Sequence, residues 1–98
     1  MSSACARRPL VSIIVPSFNQ GRFIAKTLDS ILAQDYRPLE VVVVDGASTD
    51  ETVAVLHRYD AAPEVRWTSE PDHGVVDAVN KGFARARGEL AAIQSSDD

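Results

Sequence analysis

The stretch EVVVVDGASTDET, residues 40–52, places a carboxylate directly after an apolar run. Residues 41–44 are four consecutive valines, which is typical of a strand buried on both faces of a parallel sheet. Asp45 follows at the strand end, and Ser48 with Glu51 has the S-x-x-E spacing of a helix capping box. The stretch therefore predicts a strand that ends next to Asp45 and a helix that starts at Ser48.

The rest of the chain repeats this alternation of apolar runs and helical patterns. Predicted strands cover residues 10–16, 39–44, 64–70 and 89–94. Predicted helices cover residues 21–34, a segment that starts at residue 48, and residues 74–87. The apolar face of the third helix is predicted to hold Val76, Val79, Phe83 and Ala86. This order predicts an α/β fold, a Rossmann-like parallel sheet with flanking helices.

Composition restricts the class of protein. The 98 residues are 45% hydrophobic and 24% charged, which fits one small globular domain, with residues 1–9 as a flexible tail and residues 10–98 as the domain. A net charge of -4 argues against nucleic acid as a partner. Cys5 is the single cysteine, so an intramolecular disulfide is excluded. We expect a cytoplasmic protein, with peripheral membrane association as an alternative.

Four carboxylates follow the predicted strands: Asp45, Asp72, Asp97 and Asp98. Because parallel strands bring their carboxyl ends to one edge, these side chains are expected to lie close together. Crowded carboxylates repel each other unless a cation is present, and oxygen ligands suit Mg²⁺ or Mn²⁺. Such an edge suits a nucleotide diphosphate. Each carboxylate taken alone also fits an ordinary turn or chain-end residue.

Sequence blocks across the chain resemble one known family. They are VSIIVPSFNQGRFIAKTLDSILAQDY at 11–36, LEVVVVDGASTDET at 39–52, EPDHGVVDAVNKGFARARGEL at 70–90 and SSDD at 95–98. In register and in order, they resemble the nucleotide-sugar-binding N-terminal half of the inverting family 2 glycosyltransferases of GT-A fold. The resemblance covers residues 10–98.

The resemblance implies transfer of a sugar from a nucleotide diphosphate sugar, with a UDP-sugar as a candidate donor, to an acceptor hydroxyl by inverting single displacement. The acceptor would be a glycan, a lipid or another hydroxyl compound. The implied donor-binding residues are Pro16, Ser17, Asn19, Asp45, Asp72 and Asp97. Asp45 would accept a hydrogen bond from the base, Asp97 would lie near the ribose and diphosphate, and Asp98 would bind the divalent cation, Mn²⁺ or Mg²⁺.

No catalytic residue is assigned within this chain, because the resemblance places the general base and the acceptor site downstream of residue 98. We therefore expect the chain alone to be inactive in transfer. One alternative is an inactive nucleotide-binding or interaction module with the same fold. Another is a receiver-like signalling domain, which requires an acidic pair after the first strand, where Pro16 and Ser17 stand here.

Overall fold

The structure is a computed structural model and describes residues 9–71 and 73–94. Four strands alternate with three helices: β1 Val11–Ser17, α1 Ile24–Leu32, β2 Leu39–Asp45, α2 Thr52–His57, β3 Val65–Ser69, α3 Val75–Arg85 and β4 Leu90–Ile93. Each strand end lies within one residue of its predicted position. Of the helices in this part of the chain, none has the length and apolar character that crossing a membrane requires.

The strands form one parallel sheet in the order β3-β2-β1-β4. This architecture confirms the predicted Rossmann-like parallel sheet with flanking helices. Every residue of β2 is buried, as its run of valines predicted. The register aligns Ser17 of β1 with Asp45 of β2, and Asp45 with Ser69 of β3. Three strands therefore end side by side at the carboxyl edge.

The valines of β2 divide between the two faces of the sheet. Val41 and Val43 belong to the larger core cluster, which contains side chains from α1 and α2. Val42 and Val44 belong to the smaller cluster, together with Ala78 of α3. A strand that is covered by helices on both faces buries most of its apolar surface. Burial of the β2 valines therefore stabilises the packing of helices on both faces of the sheet.

The predicted apolar face of α3 is wrong at two of its four positions. Val76 is 72% exposed and Phe83 is 46% exposed. The helix instead faces the sheet with Ala78 and Gly82, both buried. A Cβ atom at Gly82 would clash with Cγ2 of Ile14, so the missing side chain lets the helix approach the sheet closely.

The predicted capping box at Ser48 and Glu51 is also wrong. Helix α2 begins at Thr52, and its N-cap residue Glu51 makes no side-chain capping hydrogen bond. Instead, Asp50 accepts a hydrogen bond of 2.9 Å from the backbone N–H of Thr52. The Ser48 hydroxyl donates to Asp45, because a buried carboxylate three residues away competes successfully for it.

Candidate functional site

Asp45 lies at the centre of the carboxyl edge and is fully buried. Its Oδ2 atom accepts hydrogen bonds of 2.8 Å from the backbone N–H of Ser48 and from the hydroxyl of Ser69. Its Oδ1 atom accepts a 2.6 Å hydrogen bond from the Ser48 hydroxyl. These donors satisfy much of the carboxylate's hydrogen-bonding capacity. A nucleotide base would have to compete with them for direct contact.

Ser17 stands beside Asp45 at the end of β1 and is 5% exposed. Its backbone carbonyl accepts a 2.9 Å hydrogen bond from the N–H of Gly46. Its hydroxyl oxygen, however, is buried and has no hydrogen-bond partner among the described residues. Burying a hydroxyl group without a partner is costly, so such groups are exceptions that need an explanation. Ser17 is therefore a candidate ligand contact.

Asn19 joins the loop after β1 to the loop after β2. Its N–H donates a 2.7 Å hydrogen bond to the Ser48 hydroxyl oxygen, and its Oδ1 accepts one of 2.8 Å from the N–H of Thr49. A further contact of 3.1 Å joins the N–H of Gly21 to Asp50. Asn19 has φ of 53°, in the left-handed region, which asparagine tolerates better than most residues. The two loops are thus held together at the site.

The predicted site residues are only partly described by the structure. Ser17, Asn19 and Asp45 lie together at the carboxyl edge, and Pro16 is buried just before Ser17. Three other predicted residues, Asp72, Asp97 and Asp98, lie outside the described residues. Their predicted roles stay predictions.

The described side chains offer limited means of holding a metal ion. Residues 9–71 and 73–94 contain no group of three or more His, Cys, Asp or Glu side chains that could hold a metal ion. Both oxygens of Asp45 already accept hydrogen bonds from Ser48 or Ser69. The predicted cation ligand, Asp98, lies outside the described residues.

Sequence reasoning missed the contacts that Ser48 and Ser69 make with Asp45. Ser69 was detectable in principle: alternation along β3 places it on the same face as Val65 and Trp67, at the carboxyl end of the strand, where it lies opposite Asp45. The S-x-x-E spacing predicts a capping role for Ser48, and this spacing carries no information about the Asp45 carboxylate three residues earlier.

Solved structures with this fold define a class of enzyme. The mannosyltransferase PcManGT from Pyrobaculum calidifontis, in complex with GDP-Man and Mn²⁺, has a TM-score of 0.84 at 38% identity, over 93% of this chain and 28% of that chain. S. aureus TarS 1-349, in complex with UDP-GlcNAc, has a TM-score of 0.81 at 31% identity, over 89% of this chain and 26% of that chain. The fold is that of the GT-A glycosyltransferases.

The sequence identifies the family within that class. The family model for Glycosyl transferase family 2 matches residues 12–98. The chondroitin synthase of Escherichia coli is 36% identical over 98 residues, which are 99% of this chain and 14% of that protein. The chain belongs to glycosyl transferase family 2, as its resemblance predicted. It spans less than a third of the length of each of these three proteins.

Proposed function

We propose that this domain binds a nucleotide diphosphate sugar at the carboxyl edge of the sheet and supports transfer of the sugar to an acceptor hydroxyl. The observation that supports this most directly is the buried hydroxyl of Ser17, which lacks a partner among the described residues and lies beside Asp45. Ligands of open parallel sheets bind at this edge. The two solved relatives are in complex with GDP-Man and with UDP-GlcNAc, so both are candidate donors.

In this proposal, Pro16, Ser17 and Asn19 border the nucleotide, and Ser17 Oγ hydrogen-bonds to it. Asp45 has two candidate roles: it accepts an N–H of the base, or it holds Ser48 and thereby shapes the loop that meets the nucleotide. The proposed site has three further members. Asp72 and Asp97 bind the donor, and Asp98 binds the cation.

The proposed reaction is a single displacement with inversion. The acceptor hydroxyl oxygen forms a bond to the anomeric carbon of the sugar while the bond from that carbon to the diphosphate oxygen breaks. The nucleoside diphosphate leaves with the electron pair, and the hydroxyl proton passes to a general base. We assign that base to no residue among 1–98. A divalent cation, Mn²⁺ or Mg²⁺, would neutralise charge on the leaving diphosphate.

Calorimetric titration tests the proposal directly. UDP-GlcNAc and GDP-mannose are titrated separately into the chain with Mn²⁺ and with EDTA. We expect at least one nucleotide to bind, and EDTA to weaken its affinity by about tenfold or more, because the cation offsets the diphosphate charge. Asp98→Ala should lower the affinity in Mn²⁺ to the EDTA level.

The matched control is Asp35→Asn, which removes one negative charge from an exposed residue shortly before β2, at the opposite end of that strand from Asp45. It should leave both affinities unchanged. Failure of both nucleotides to bind in Mn²⁺ would contradict the proposed function.

A further inference from the structure

Two side chains of α3 contact the loop that precedes this helix, residues 70–74. The ammonium group of Lys81 donates a 2.8 Å hydrogen bond to the backbone carbonyl of Pro71. Asp77 accepts a 3.1 Å hydrogen bond from the backbone N–H of His73. Lys81 and Asp77 are 3.5 Å apart as an ion pair at i,i+4 spacing. The pair therefore contacts the loop on both sides of position 72.

The ion pair is supported by its surroundings. The hydrogen bond from the His73 N–H holds the pKa of the Asp77 carboxyl below its ordinary value, and Lys81 acts in the same direction. Both side chains are about two thirds or more covered, with 33% of Asp77 and 26% of Lys81 exposed. Backbone groups hold both side chains of this ion pair in place. Forming the pair therefore costs less side-chain conformational entropy than forming an isolated surface pair.

A third side chain of α3 fixes the start of the same loop. Arg85 donates a 2.9 Å hydrogen bond to the hydroxyl oxygen of Thr68 and pairs with the carboxylate of Glu70. The N–H of Glu70 donates a 2.9 Å hydrogen bond to the backbone carbonyl of Asp45. Asp77, Lys81 and Arg85 are four residues apart in succession, so they share one face of α3. The loop is thus attached to the helix and to the centre of the candidate site.

We propose that Asp77 and Lys81 are positioning residues that hold the described loop residues, 70, 71, 73 and 74, against the donor-binding edge. The inference rests on the proposed function, since the loop matters only if a nucleotide sugar binds at that edge. The Lys81 ammonium group is already engaged with Pro71 and Asp77, so its contribution to the nucleotide is indirect. Removing either side chain of the pair should release the loop. Nucleotide affinity should fall, and the sheet should stay folded.

Nucleotide affinity is measured by calorimetry for Asp77→Ala, Lys81→Met and the double variant, with whichever of UDP-GlcNAc and GDP-mannose binds, in Mn²⁺. We expect each single variant to lose about tenfold in affinity. Because the two residues act as one unit, the double variant should be within about threefold of the weaker single variant. Lys81→Arg keeps the charge and the donors and should retain affinity.

Lys26→Met is the matched control, because it removes the same charge from an exposed position on α1. It should leave affinity unchanged. Urea unfolding of every variant separates a released loop from a destabilised fold. Amide hydrogen exchange at His73 in the nucleotide-free chain provides a readout that needs no ligand. We expect faster exchange in Asp77→Ala and in Lys81→Met than in the wild-type chain.

The outcomes separate the two proposals. If the wild-type chain binds neither nucleotide, the proposed function fails and the positioning role fails with it. If the wild-type chain binds and both single variants bind equally well, the positioning role alone is wrong. Unchanged exchange at His73 would also overturn it. Loss of affinity in Lys81→Met but not in Asp77→Ala would show that Lys81 contacts the nucleotide directly, which contradicts the inference.

Discussion

Asp45 and Ser48 are joined by two hydrogen bonds, one from the Ser48 N–H at 2.8 Å and one from its hydroxyl at 2.6 Å. The Ser48 hydroxyl oxygen also accepts the N–H of Asn19 at 2.7 Å. A carboxylate at the end of β2 therefore fixes the loop that follows it and, through Ser48, the loop after β1. Within the described residues, this pair connects the buried sheet to the exposed edge of the candidate site.

Asp45→Asn should destabilise the fold. The amide group presents one acceptor oxygen where the buried carboxylate presented two, so one of the hydrogen bonds from Ser48 or Ser69 is lost. We expect the free energy of unfolding to fall by about 1–3 kcal/mol. Urea unfolding at neutral pH measures the change. Ser69→Ala is the control, because it removes one donor and leaves the carboxylate in place. An unchanged midpoint for Asp45→Asn would contradict the structural role.

Ser48→Ala separates the two candidate roles of Asp45 in nucleotide binding. The substitution keeps the Asp45 carboxylate but removes the hydroxyl group that joins it to Asn19. If Asp45 acts by shaping the loops, Ser48→Ala and Asp45→Asn should both weaken nucleotide affinity, each by about tenfold. Calorimetric titration of both variants checks this. Weakening in Asp45→Asn alone would instead support direct contact with the base.

The fold was predictable because its signals are local. Residues 41–44 form an uninterrupted run of valines, and both faces of β2 are in fact covered, so the run marked a central strand correctly. The order of strands and helices then required a parallel sheet. Asp45 reached the carboxyl edge for the same reason: its position depends only on where β2 ends.

The errors arose where the folded geometry, and not the spacing of residues along a helix, decides which contact forms. Val76 and Phe83 fit a helical apolar stripe, but Gly82 contributes nothing to hydrophobic periodicity and still marks the side that packs closely on Ile14. The S-x-x-E spacing predicts a helix cap for the Ser48 hydroxyl, but the path of the loop brings Asp45 within reach as a competing acceptor. Helical periodicity and capping spacing do not describe either contact, because the Gly82–Ile14 contact is tertiary and the Asp45–Ser48 contact depends on the path of the loop.

Glu40 should make stability depend on pH in the acid range. Its buried carboxylate pairs with Arg66 at 2.9 Å and accepts hydrogen bonds from the Ser12 hydroxyl and the N–H of Arg87. Burial raises the pKa of Glu40, but these hydrogen bonds and the Arg66 charge outweigh burial and hold the pKa below its ordinary value. A lowered pKa means that Glu40 stabilises the fold above its unfolded-state pKa. The stabilisation is lost as pH falls through the folded-state pKa.

Glu40→Gln tests this pH dependence by urea unfolding at a series of pH values. We expect the variant to be less stable than the wild-type chain at neutral pH, with the difference shrinking between about pH 5 and about pH 3. Asp50, Asp60, Glu70 and Asp77 also have lowered pKa values, so the difference between the two proteins, not the wild-type curve, isolates Glu40. Glu89→Gln, at an exposed position, is the control. A difference that stays constant with pH would contradict the prediction.

Gly82→Ala should destabilise the fold although alanine is the better helix former. In an exposed helix the substitution would stabilise by about 1 kcal/mol. Here the added Cβ meets Cγ2 of Ile14, so α3 must move away from the sheet or Ile14 must shift. We expect a net loss of about 1–3 kcal/mol in the free energy of unfolding, as for other overpacked cores. Urea unfolding measures it.

The double variant Ile14→Ala with Gly82→Ala identifies the cause. Ile14→Ala alone leaves a cavity beneath α3 and should cost about 2–5 kcal/mol. Because the methyl group added at position 82 can enter that space, the double variant should be less destabilised than the sum of the two single variants. Ala84→Gly, on the exposed side of the same helix, reports helix propensity alone. If the two changes in the free energy of unfolding are additive, contact with Ile14 is not the reason that position 82 requires glycine. If Gly82→Ala stabilises the chain, α3 does not require the close approach.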